Sequence, residues 1–317
     1  MGPTGAAGNM RLMLCMAFST AAAWSPSASA LHGAVAGASL SRVSIAAPCV
    51  TRSTGVHMAA LPALPVVAAA CTLPTCVGFW KTEYGVSYAY GAATAICGAL
   101  AMWTAPNPIA QAHSAAVCMY GVRLSIFLLW REIRVPQFRE LREKIEARTV
   151  AAGGRLKRAP FVLSCSLLYF CMVCPTLVTA RIGVEATIAS VALMPLVAIT
   201  WFGLLLAAWG DFTKSHVKAR DGSHVLVMTG PFRFFRHPNY TGEQILWTSN
   251  TLLAFAGAAI IGWRQVVPFL AASLIGWAGI FCILARATAA LEKKQAKRFE
   301  EFQAWRRGSW GGWRLTE

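Results

Sequence analysis

Seven stretches of mostly apolar residues, at about 61–80, 85–104, 109–130, 160–180, 186–209, 241–262 and 266–285, constrain this chain more than anything else in it. Each is about 20 residues long, and at 1.5 Å per residue that is the length a helix needs to cross a hydrocarbon core of about 30 Å. Only 13% of the residues are charged; a soluble domain carries about 25%. Too little polar material remains to cover a water-facing surface, so lipid must cover part of it. The fold class expected is all-α: a single polytopic bundle of about seven transmembrane helices over residues 59–317.

Charge placement tests the helix count independently. With alternating passes, the linkers after the first, third, fifth and seventh stretches share one side. They hold Lys81, nine Lys and Arg in 131–159, five in 210–240 and eight in 286–317. The opposite linkers hold only Arg181 and Arg264. A miscounted helix would scramble that asymmetry, which has the form of a positive-inside bias. The net charge of +16 therefore marks a membrane face and no nucleic-acid partner. Of the ten cysteines most lie inside apolar runs, Cys171 and Cys174 among them. Hydrocarbon disfavours the thiolates a redox or zinc pair needs, so these are read as small buried hydrophobes.

Residues 1–58 contain no Asp or Glu, three Arg (Arg11, Arg42, Arg52) and many Ala, Ser and Gly. That composition predicts a cleaved targeting segment of plastid type. The short apolar run after Arg11 suggests a two-part leader, a secretory signal before a transit peptide. An ordinary mitochondrial or chloroplast leader is the alternative. The basic run 137–148 has helical charge pairing such as Glu140–Lys144, and Gly153 and Gly154 are expected to end it. It reads as a solvated helix on a headgroup surface. In the tail, Phe299, Phe302 and Trp305 recur every three residues among cations, which predicts a helix lying in the interface.

The stretch 203–247 carries the chemistry. Gly230 and Pro231 make a turn, Pro238 suits the first position of a helix, and His237 falls at its cap. Asn239 and Glu243 then share a face, with Tyr240 beside them. Lys214, Arg233 and Arg236 surround that helix start, whose unpaired N–H groups and positive dipole favour an anion. From these residues alone the segment reads as a pocket at the membrane surface for an anionic, nucleotide-like ligand. Taken singly, Arg233 and Arg236 read equally as interfacial anchors and His237 as a helix cap. Five polar groups within eight residues at a membrane boundary favour a site.

The run GPFRFFRHPNYTGEQILW (230–247) resembles the signature of the steroid 5-alpha-reductase-like membrane family, in particular a branch with an Arg-His-Pro-Asn-Tyr-x-Gly-Glu core. The resemblance extends to Asp211 and Lys214, to GVRLSIFLLWRE (121–132) and to LEKKQAKRF (291–299), and so spans about 120–305. It implies a seven-helix bundle that holds NADPH and reduces a carbon–carbon double bond of a lipid-like substrate, such as a steroid or isoprenoid enone. Carried onto this chain, Asp211, Arg236, Asn239, Tyr240 and Glu243 would contact the cofactor, with Lys214, His237 and Arg123 as neighbours. The catalytic Tyr and acid of the steroid reductases lie in earlier helices, where Tyr120 and Glu83 are candidates by residue type. One departure matters: the branch's Gly-Glu-Asp-x-Arg run is replaced here by Ile133-Arg134-Val135-Pro136-Gln137, so the resemblance carries no particular substrate.

Two other classes compete. Isoprenylcysteine and phospholipid methyltransferases carry a related Arg-His-Pro-x-Tyr core with a C-terminal Glu pair, which Glu300 and Glu301 could imitate, and they bind S-adenosylmethionine. A non-catalytic membrane protein that keeps the fold is the other.

Overall fold

The computed structural model describes residues 62–151, 154–222 and 224–313. The expected targeting segment, 1–58, lies outside them. Among the described residues there is no strand, and six helical runs are long and apolar enough to cross a membrane: Thr82–Thr104, Pro108–Arg134, Leu156–Thr179, Val184–Asp221, Pro238–Ile261 and Val267–Arg298. Leu64–Trp80 is a seventh, shorter apolar run. The chain is thus an all-α polytopic membrane bundle, with helices where the apolar stretches put them.

The main helices are α1 (Leu64–Thr75), α2 (Tyr88–Thr104), α3 (Pro108–Arg134), α4 (Pro136–Ala151), α5 (Ala159–Thr179), α6 (Met194–Asp221), α7 (Pro238–Ile261), α8 (Val267–Arg298) and α9 (Phe302–Gly308). The first two passes separate at Lys81, whose extended backbone breaks the helix before Thr82. The two passes then pack side by side, with the Sγ atoms of Cys71 and Cys97 3.6 Å apart.

Linker contacts sort the loops onto two ends of the bundle, as alternating passes require. At one end, Asn107 caps α3 by accepting from the Ile109 N–H at 2.9 Å, and its amide donates to Gly183 O at 3.3 Å and Ser190 Oγ at 3.1 Å. Arg181 donates to Gln265 O at that end. At the other, basic end, α4 does not float free in solvent. Arg142 is ion-paired with Glu132 and lies 3.3 Å from Glu83, while Arg158 pairs with Glu146 at 2.5 Å. The helix ends at Ala151, and Gly154 follows with φ 82°; Gly153 lies outside the described residues.

The tail also differs from the expected interfacial helix. The chain leaves helix at Phe299, and α9 is a short, separate turn of helix. Phe302 is buried, and Trp305 Nε1 donates to Phe232 O at 2.9 Å. The aromatic spacing that reads as a lipid-facing stripe is used to dock the tail against the loop before α7.

Within the membrane, α6 and α7 meet backbone to backbone. A Cβ added at Gly203 would stand 2.6 Å from Leu246 N and 2.7 Å from Gly242 O; one at Gly210 would stand 2.6 Å from Asn239 N. Small residues replace the missing hydrophobic drive between helices in lipid by allowing close van der Waals contact. Gly242→Val should therefore fail to close this seam, since overpacking costs about 1–3 kcal/mol or more. The expected readout is a large loss of melting temperature or of monodisperse protein. Gly257→Ala, whose Cβ would meet nothing nearer than Thr179 Cγ2 at 3.4 Å, should leave both unchanged. Equal melting of the two variants would refute the close seam.

Candidate functional site

The seam sets Asp211, on the last turns of α6, beside the first turn of α7. Arg123 reaches across from α3 and is ion-paired with Asp211, and its Nη2 also donates to Ala207 O at 2.8 Å. The guanidinium lies over the Phe127 ring, 5.7 Å from its centroid. Pro238 opens α7 and His237 is its N-cap, as the turn chemistry predicts. Asn239, Tyr240 and Glu243 are all buried on the face turned into the bundle.

Around this point several buried polar atoms have no hydrogen-bond partner among the described residues: Arg123 Nη1, Asp211 Oδ1, Asn239 Oδ1, Tyr240 OH, Glu243 Oε2 and Ser215 Oγ. A buried polar atom left unsatisfied costs about 1–3 kcal/mol, and most native interiors satisfy nearly all of theirs. Such atoms converging from three helices form a cradle for a polar ligand. Acceptors dominate it, which suits hydroxyl and amide donors such as those of a ribose or carboxamide. Lys214, half-buried one turn beyond Asp211 on α6, adds a cation at its outer edge.

Arg236 has a different role from the one its sequence context suggests. Its Nε donates to Glu292 at 2.8 Å, and its Nη1 donates to the carbonyls of Arg306 and Ser309. Its backbone N–H donates to Trp310 O, and Trp310 N–H returns to Phe234 O, both at 2.8 Å. Much of the guanidinium is thus spent on fastening the tail beneath α7. His237 is buried with Nε2 3.5 Å from Glu292, and its ring is 6.2 Å from that of Tyr240. Burial pushes its pKa below the usual imidazole value, and Glu292 opposes that shift.

The two catalytic candidates separate. Glu83 is drawn into the Arg142 cluster that holds α4, where the hydroxyls of Tyr84 and Tyr88 also donate to Glu132 at 2.5 Å. Tyr120 lies on the cradle side, fully buried and about 16 Å along the α3 axis from Arg131. Its hydroxyl donates to Tyr90 OH at 2.9 Å, and Trp247 Nε1 donates to the same oxygen at 2.7 Å. Rings of Tyr90, Tyr120, Tyr169 and Trp247 pack around these hydroxyls. The sequence reading missed Tyr90, Trp247 and the anchoring roles of Glu292 and Arg142. The available signal was a hydroxyl or indole N–H inside an apolar span, which must find a partner.

Glu300 and Glu301 are both exposed at the break between α8 and α9 and face no part of the cradle. A family model described as Protein of unknown function (DUF1295) matches residues 78–308, nearly the whole bundle. No curated protein and no solved structure matches the chain.

Proposed function

We propose that this chain, which belongs to the DUF1295 family of the steroid 5-alpha-reductase-like superfamily, is an NADPH-dependent reductase of a carbon–carbon double bond in a lipid-like substrate. The finer resemblance, to the branch with the Arg-His-Pro-Asn-Tyr-x-Gly-Glu core, is part of this reading, as is residence in a plastid membrane. The observation that carries it is the cradle of unpartnered buried atoms on Arg123, Asp211, Asn239, Tyr240 and Glu243, walled by an apolar bundle. A water-soluble cofactor reaches it from the basic end, and an apolar substrate reaches it from the lipid.

A dihydronicotinamide held there would supply hydride to the β-carbon of an enone, and the resulting enolate would take its α-carbon proton from solvent on release. The residues of this chain do the rest. Asp211 and Glu243 would accept hydrogen bonds from the cofactor, with Asn239 and Tyr240 beside them on α7. Arg123 holds Asp211 in place and balances the charge of Glu243. Negative charge builds on the substrate oxygen, where a preorganised donor lowers the barrier most. Tyr120 is that donor: its hydrogen rotates from Tyr90 to the substrate oxygen, and Tyr90 then donates to Tyr120 in its place. The aromatic packing around the two hydroxyls excludes water from the reacting atoms.

Titration of purified protein with NADPH and, separately, S-adenosylmethionine tests the reading, because each reaction class names one ligand. NADPH should bind saturably and be consumed when an enone lipid is added, while S-adenosylmethionine should leave the protein unchanged. Saturable S-adenosylmethionine binding with none of NADPH would replace the reductase by a methyltransferase. The exposed positions of Glu300 and Glu301 give that alternative no acidic pair at the cradle. Binding of neither ligand would leave a non-catalytic member of the family.

A further inference from the structure

At the basic end of the bundle the docked tail borders an open depression of about 350 Å³ lined by Arg236, Gln303, Arg306 and Arg307. That volume lies at the small end of ligand pockets, about 300–1,000 Å³, and matches a headgroup better than a whole cofactor. Three guanidinium groups and an amide line it, with no carboxylate among them. Glu292 offsets Arg236, but neither Arg306 nor Arg307 has an ion pair among the described residues. The depression therefore presents about two uncompensated positive charges in a planar donor geometry suited to phosphate.

Its surroundings identify where that phosphate comes from. Phe234, Trp310 and Trp313 are 66%, 44% and 43% exposed, large apolar rings at the same end of the molecule. Trp310 packs edge-on to both Phe235 and Trp313, at 5.8 and 5.2 Å. Tryptophan and cations together are the composition of a headgroup layer, and a soluble phosphate ester needs no such apolar surface. We propose that this depression binds the phosphate headgroup of an anionic membrane lipid. The bound phosphate bridges Gln303, Arg306 and Arg307 on the tail to Arg236 on the loop before α7. It thereby fastens the tail under the helix that bears Asn239 and Glu243. The proposal stands whether or not the cradle binds NADPH.

The experiment uses the full chain in phosphatidylcholine nanodiscs, with and without phosphatidic acid, and reads the thermal shift against phosphatidic acid content. Arg306→Gln combined with Arg307→Gln should raise the half-saturating content about 30-fold, from the usual contribution of two cations at a membrane surface. Lys293→Gln combined with Lys294→Gln removes two exposed charges from the same end without touching the depression, and should change it less than threefold. Both double variants should melt like the wild type in phosphatidylcholine alone. Equal losses in the two double variants would overturn the proposal in favour of diffuse surface charge. If glycerol 3-phosphate in solution protects wild type at the same concentration as the lipid, the occupant is a free phosphate ester and the lipid assignment falls.

Discussion

Arg236→Ala is expected to cost about 3–5 kcal/mol of stability and to release the C-terminal tail, because it removes one partner of a buried ion pair. Glu292 would be left buried beside His237 without its guanidinium, and the carbonyls of Arg306 and Ser309 would lose their donor. The measurement is melting temperature together with limited trypsin digestion, since Arg306 and Arg307 are cleavage sites on the tail. Wild type should resist cleavage there, and the variant should be cut early. Arg236→Lys sharpens the test: an ammonium can keep Glu292 but cannot also span two carbonyls on the far side, so an intermediate result is expected. A phosphate ligand with no structural duty predicts the opposite pattern, weakened NADPH binding with stability and tail protection intact. That pattern would refute the tail-clamp reading of Arg236.

The case of Arg236 shows where sequence reading reached and where it stopped. The spans were legible because hydrocarbon sets a length that composition reports directly: the stretch at about 160–180 is the helix Ala159–Thr179. The start of α7 was legible because Pro238 and the turn at Gly230 act locally. Helix ends beyond the apolar windows were not, since they are set by caps and not by hydrophobicity: α6 runs on to Asp221 and stops at Gly222, with φ 94°. Cross-helix partners were not legible either. Helical periodicity says which residues share a face, never which helix that face meets. Arg236 finds acceptors 56 to 73 residues away, and Trp247 finds Tyr90 157 residues away. The density of polar groups at 236–243 did mark a stretch whose polar side chains the fold buries. It could not divide them into those that hold the fold and those left with unpartnered atoms facing the cradle. The Gly203–Ala207 spacing on α6 was a readable sign of close helix contact, and it explains why Asp211 stands beside Asn239.

Tyr120→Phe should lower turnover about 10²- to 10³-fold, the usual cost of removing a donor aimed at a developing oxyanion. NADPH affinity should stay within a factor of two, because Tyr120 is assigned to the substrate oxygen and not to the cofactor. The variant should fold, since it loses one neutral hydrogen bond, worth about 1 kcal/mol, and keeps the ring packing. Glu243→Gln should behave differently. It weakens a charge-assisted contact worth about 1.5–3 kcal/mol, so NADPH affinity should fall roughly 10- to 150-fold, with turnover at saturation less affected. Tyr90→Phe separates orientation from chemistry: it leaves the Tyr120 hydroxyl in place but removes its hydrogen-bond partner, so its loss of turnover should be smaller than that of Tyr120→Phe. Single-turnover reduction of an enone lipid by each variant, alongside NADPH titration, gives all three comparisons. If Tyr120→Phe turns over within threefold of wild type while Glu243→Gln shows the expected weakening, the cradle stands and the donor to the substrate oxygen lies elsewhere. If Tyr120→Phe instead loses NADPH binding in step with turnover, the buried tyrosine belongs to the cofactor site and the chemistry must be assigned to another group.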